Sequence, residues 1–242
     1  MISALASAGW VFLFMGLLTP AASQPSDRPK RYTILDIHLG EAASAIPDEF
    51  VNYACGTNGG PPSIPLQKFA DFMRCKPDVN GLHEVYFEYD DELEYEARAL
   101  EDRTRIRMYA GTTLFEFPVV ASLLFDDAGH VRGMRMVTDP RQQVSRDRLE
   151  YWEMGNFVRL NFGDDPWICK DLPPEEGETP AGTQFLKNHC EETTSGEHLI
   201  LEQRFFQKKG QQFVDPQTGK AQPQAFESAT RFEIYDAAVA VR

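Results

Sequence analysis

The sequence predicts an α+β protein of two related halves, each a helix plus an antiparallel sheet, with disulfide-clipped loops and an export signal in front. Three observations predict it: an apolar segment at the N-terminus, four cysteines in two similar settings, and helix-period stretches alternating with period-two runs.

The first segment carries the apolar core Trp10 to Leu18, then Thr19-Pro20 and the small residues Ala21-Ala22-Ser23. Small residues at Ala21 and Ser23 fit a signal-peptidase site before Gln24. No Lys or Arg precedes the apolar run, which departs from the usual pattern. An uncleaved anchor is the rival, but Ser3, Ser7 and Gly9 dilute a run already at the short limit for spanning. Residues 1–23 are therefore expected to be a signal peptide, 24–31 a flexible segment, 32–143 the first half and 144–242 the second. The expected location is periplasmic or secreted, with no membrane span once the signal is removed.

Residues 1–23 contain no charged side chain, so the formal net charge of −13 belongs to the rest of the chain. That balance argues against nucleic acid as a partner, which needs a basic face. At 42% hydrophobic and 12% aromatic, the chain is able to bury a core. Cys55, Cys75, Cys169 and Cys190 form an even set, read in an exported protein as disulfides. Their spacings are too long for the short cysteine clips of structural zinc.

The cysteines expose a twofold pattern. Cys55, Pro61-Pro62, Cys75 and Gly81 recur in order as Cys169, Pro173-Pro174, Cys190 and Gly196. Each glycine opens a strand-like run, beginning at Leu82 and at Glu197. Three pairings of four cysteines exist, and a true repeat selects Cys55–Cys75 and Cys169–Cys190.

In chain order, Tyr32 to His38 reads as a strand and Pro47 to Tyr53 as a helix opened by proline. Leu66, Phe69, Ala70 and Met73 fall on one helical face. Glu92 to Met108 reads as a helix, with Leu93, Ala97, Leu100 and Thr104 on one side. Val119 to Phe125 and Val131 to Val137 flank Asp126-Asp127-Ala128-Gly129-His130, a hairpin. Arg146 to Phe162 reads as a helix with Leu149, Trp152, Asn156 and Leu160 inward. A last hairpin pairs His198 to Gln207 with Ala225 to Ile234, around a turn at Asp215 to Gly219.

The segments Asp36-Ile37-His38-Leu39-Gly40 and Leu123-Leu124-Phe125-Asp126-Asp127-Ala128-Gly129-His130-Val131-Arg132-Gly133, with a cysteine loop between them, resemble the BLIP-like fold family. That family includes β-lactamase inhibitory proteins, tandem repeats with one disulfide per half, and outer-membrane assembly lipoproteins of the SmpA/OmlA type. The lipoprotein cysteine is absent here. The resemblance implies protein binding rather than catalysis.

The residues themselves supply no nucleophile motif, no metal spacing among His38, His83, His130, His189 and His198, and no cofactor loop. No catalytic residue, metal ligand or cofactor is assigned. His83 and His198 hold similar places in the twofold pattern, which allows a shared ligand site. The densest acidic stretch, Glu84 to Glu101, is interleaved with Tyr86, Phe87, Tyr89 and Tyr95. Glu84, Tyr86, Glu88, Tyr89 and Asp90, with Asn58 from the glycine-rich loop, are the candidate binding residues. The expected role is that of an adaptor, inhibitor or envelope-assembly factor whose partner is another protein. The alternative is a hydrolase of envelope polymers using carboxylates of residues 84–101.

Overall fold

A computed structural model describes residues 31–141, 147–163, 166–194, 196–210, 213–214, 221–222 and 226–240. The expected signal peptide and the Asp215 to Gly219 turn lie outside them. From Arg31 onward the chain is one compact unit.

The first strand is β1 (Phe50–Cys55), followed by β2 (His83–Tyr89), helices α1 (Glu92–Ala99) and α2 (Arg103–Tyr109), β3 (Thr113–Leu114), β4 (Phe117–Phe125) and β5 (Val131–Thr138). Then come α3 (Met154–Asn161), β6 (Ile168–Asp171), β7 (Glu178–Thr179), β8 (Leu186–Thr194), β9 (Glu197–Lys208), β10 (Phe213–Val214), β11 (Ala221–Gln222) and β12 (Phe226–Asp236). One antiparallel sheet runs β1-β2-β4-β5-β12-β9-β8-β6, with β3 added to β4 and β7 to β9. β10 and β11 form a separate ladder. This is a mostly-sheet fold clipped by two disulfides, Cys55–Cys75 and Cys169–Cys190.

Alternation along the strands divides the sheet into two faces. One face carries Val85, Phe87, Leu123, Phe125, Met134, Met136, Leu199, Leu201 and Phe232, all inside the main core. It is covered by α3, through Met154 and Val158, and by the 3₁₀ turn Phe69–Arg74, whose Phe69 packs edge-on to Phe50, Tyr53 and Phe87. Such edge-to-face pairs add about 1 kcal/mol each beyond their area. The opposite face is mainly polar, with two small apolar clusters, one of Leu82, Leu124, Ile200 and Tyr235 and one of Ala54, Tyr86 and Val120.

Several elements differ from the sequence expectations. Tyr32 to His38 forms no strand: Thr33 donates from its N–H and hydroxyl to Asp36 at 2.9 and 3.0 Å, closing the 3₁₀ turn Ile34–Asp36. Pro47 to Tyr53 is not a helix. Phe50 and Tyr53 sit three apart because β1 bulges at Asn52, φ 56°, which puts both on the core face. Glu92 to Met108 breaks in two, since Asp102 accepts from the N–H groups of Thr104 and Arg105 at 3.1 Å and starts α2 afresh. Leu100 is left 69% exposed. In α3 and the 3₁₀ turn before it, the buried face is Tyr151, Met154 and Val158, while Leu160 is 82% exposed.

Both hairpins form as expected, β4 with β5 and β9 with β12. Gly129 takes φ 82° in the first turn, where a Cβ would press on the Phe72 ring.

Two helix-plus-sheet halves are not clearly reproduced. The run after Gly81 becomes β2, second in its meander, whereas the run after Gly196 becomes β9, third in its own. Cys75 lies before β2, but Cys190 lies within β8, paired directly with Cys169. Helices α1 and α2 interrupt the first meander, while α3 precedes the second.

Candidate functional site

The acidic stretch begins on β2, where alternation separates its residues. Glu84, Tyr86 and Glu88 face the polar side. Tyr89 turns into the core, where its hydroxyl accepts from Ile34 N–H at 3.1 Å. Burial pushes the Tyr89 phenol up to about 12.

Glu84 is buried in an ion cluster spanning the sheet. Arg135 on β5 donates from Nη1 to Glu84 at 2.7 Å and from Nε to Glu233 on β12, and its Nη2 reaches the Tyr235 hydroxyl at 3.3 Å. Arg231 binds Glu233 at 2.6 Å. Burial opposes charge on Arg135, but the Glu233 and Glu84 carboxylates outweigh it and raise its pKa. Glu233 is likewise disfavoured by burial, yet Arg135 and Arg231 hold its carboxyl below the usual range.

The glycine-rich loop closes over this cluster. Asn58 N–H donates to Glu84 at 2.7 Å, and the Asn58 carbonyl and side chain accept from Arg231. A Cβ at Gly56 would overlap the Glu84 side chain, and one at Gly59 would overlap Val137. The glycines let the backbone lie flat on the side chains beneath it. Thus Asn58 and Glu84 do come together, as a clasp.

The other candidates serve neighbouring roles. Tyr86 donates its hydroxyl to Glu88, which also accepts from Asn52 Nδ2 at 2.6 Å. Asp90 accepts from Glu92 N–H at 2.9 Å, at the start of α1. Beside them is an open depression of about 420 Å³, lined by Asn52, Glu88, Asp91, Glu94, Arg98 and Glu116 among others. Glu94 is tied there to Arg98 and to Gly111 N–H at 2.7 Å.

Further along the polar face, over β9 and β8, charged side chains pair both along and across the strands. His189 and His198 both contact Glu191, at 2.9 and 3.3 Å, and Arg204 binds Glu202 at 3.0 Å. Glu191 and Arg204 are 52% and 46% exposed. His198 belongs to this face, whereas His83 points to the core side, bonded to the Cys75 carbonyl at 2.6 Å and to Asp127 at 3.0 Å. The two histidines do not share a site. Among the described residues, no group of three or more His, Cys, Asp and Glu is arranged to hold a metal ion.

Arg135, Arg231 and Glu233 were not singled out from the sequence. Their signal is a charge inside each strand run, Val131-Arg132-Gly133-Met134-Arg135-Met136-Val137 and Arg231-Phe232-Glu233-Ile234. A charge at a buried strand position requires a buried partner.

No helix among the described residues is long and apolar enough to cross a membrane. The two disulfides suggest an extracellular or periplasmic setting. No protein family, curated protein or solved structure matches the chain.

Proposed function

We propose that this chain is an exported, periplasmic or secreted, protein-binding module: an adaptor, inhibitor or envelope-assembly factor. The observation that carries the reading is the polar sheet face. Its centre is fixed by the Glu84–Arg135–Glu233–Arg231 cluster, and its β9–β8 part presents Arg204, Glu202, His189 and Glu191 in mixed charge. A rigid, charge-patterned surface favours recognition of another protein, since little ordering entropy is lost on docking. In this reading the two meanders, each ending in a central strand, are related halves. The relation to the BLIP-like fold family belongs to the same proposal.

The test is a photo-crosslinking residue at Arg204 in the exported protein. A discrete protein adduct, weakened by Glu202→Lys with Glu191→Lys, is the expected result; no protein adduct from any position on this face sinks the reading. Mass spectrometry of the same material should find a mature N-terminus at or near Gln24. The second reading, hydrolysis of an envelope polymer, is favoured by the acidic depression beside Glu88. It requires that wild type degrade such a polymer and that Glu88→Gln abolish the degradation.

A further inference from the structure

The sheet has two outer edges, β1 and β6, and they are treated differently. Along β1 the disulfide loop folds back and uses the outer backbone groups. Cys55 N–H donates to Ile64 carbonyl at 2.8 Å, Ser63 N–H to Cys55 carbonyl at 2.9 Å, and Leu66 N–H to Tyr53 carbonyl at 2.8 Å. The Tyr53–Cys55 part of that edge is closed, as natural sheets usually manage theirs.

β6 is open. Leu172 N–H donates to Lys187 carbonyl at 2.7 Å, so in an antiparallel ladder Ile168 and Lys170 also direct their backbone groups to β8. Cys169 and Asp171 therefore direct N–H and carbonyl outward. No described residue bonds to those four groups. All four β6 residues are exposed, Ile168 at 79%. The Cys169–Cys190 bond joins directly opposed residues, so the strand is held in register while its outer edge stays open.

We infer that β6 is a strand-addition site for an extended, basic segment of another protein. The inference rests on the protein-binding reading and specifies how one partner docks. Main-chain bonds to Cys169 and Asp171 supply affinity, and side chains beside Ile168 and the neighbouring acids supply selection. The acids are Asp171 in the strand and Glu175-Glu176 after it, Glu175 being paired with Lys187 at 2.7 Å, against Lys170. A second copy is the poorer occupant. It brings another net −13, and pairing the strand with itself about Lys170 sets two lysines opposite one another.

The test uses the mature, disulfide-bonded protein and an acetylated octapeptide of alternating Lys and Val. Hydrogen exchange at the Cys169 and Asp171 amides is followed by nuclear magnetic resonance. The peptide should slow both amides, while an alternating Glu–Val peptide and a fully N-methylated Lys–Val peptide should not. Asp171→Pro removes an outward donor without touching a β8 bond, an edge position where proline is tolerated. It should weaken binding about tenfold, the effect of losing one main-chain hydrogen bond. The inference is overturned by absence of Lys–Val binding at about 1 mM, or by equal binding of the N-methylated peptide. Protection that rises with protein concentration alone would overturn it in favour of a second copy. If crosslinking from Arg204 captures a partner while these amides stay unprotected, the edge inference fails and the protein-binding reading stands.

Discussion

Arg135 shows how a single residue ties the polar face together. Its side chain is 4% exposed and meets Glu84 and Glu233, which are 6% and 7% exposed. Removing one partner of such a buried set leaves uncompensated charge, at a cost of about 3–5 kcal/mol. Arg135→Met should therefore lower stability by that order in urea titration, because buried Glu84 is left with backbone N–H donors alone and Glu233 with Arg231 alone; a loss under about 1 kcal/mol would contradict the cluster. The pH dependence follows from Glu233. Its folded-state pKa is depressed, first opposed by burial and then outweighed by Arg135 and Arg231. Its contribution is present above the ordinary carboxylate range and is lost as pH falls through the folded value. Urea midpoints for wild type should fall with acidification through and below that range, and Glu233→Gln should flatten the slope there.

At the scale of elements, α3 offers the sharpest discrimination between helical faces. Met154 is fully buried against the sheet and Leu160 is 82% exposed, six residues on. Met154→Ala should cost about 2–5 kcal/mol and Leu160→Ala under about 0.5. Equal losses in thermal unfolding would restore the face drawn through Leu160. The same comparison explains what the sequence could disclose. The hairpins were legible because Val119 to Phe125 and Val131 to Val137 flank a turn whose glycine takes φ 82°. β1 was not, because its bulge gives Phe50 and Tyr53 a helical spacing. Within the candidate site, Asn58 and Glu84 were legible as charged and turn-forming residues. Their joint role was not, because it depends on Arg135 and Arg231, which are 51 and 173 positions away from them.

At the scale of the molecule, the two meanders are joined where β5 pairs with β12, from Val137–Arg231 to Gly133–Tyr235. Ser122 and Arg135 on one side, and Glu233 and Ile200 on the other, belong to the same continuous row. The core also crosses this junction, since Met136 and Phe232 lie in one buried cluster with Phe87 and Leu201. Local disulfides alone would let the halves melt separately. A shared core and an unbroken hydrogen-bond ladder instead couple the halves, so opening one strips apolar cover from the other. Each disulfide closes a loop of 20 or 21 residues, and in the chain-entropy model its loss costs about 3 kcal/mol. Cys55→Ser with Cys75→Ser should thus lower one transition for the whole chain. Hydrogen exchange at β9 amides should be accelerated along with that at β2. The check is calorimetry alongside exchange: two separated transitions, with β9 protection unchanged in the double variant, would show that the halves fold independently despite the common sheet.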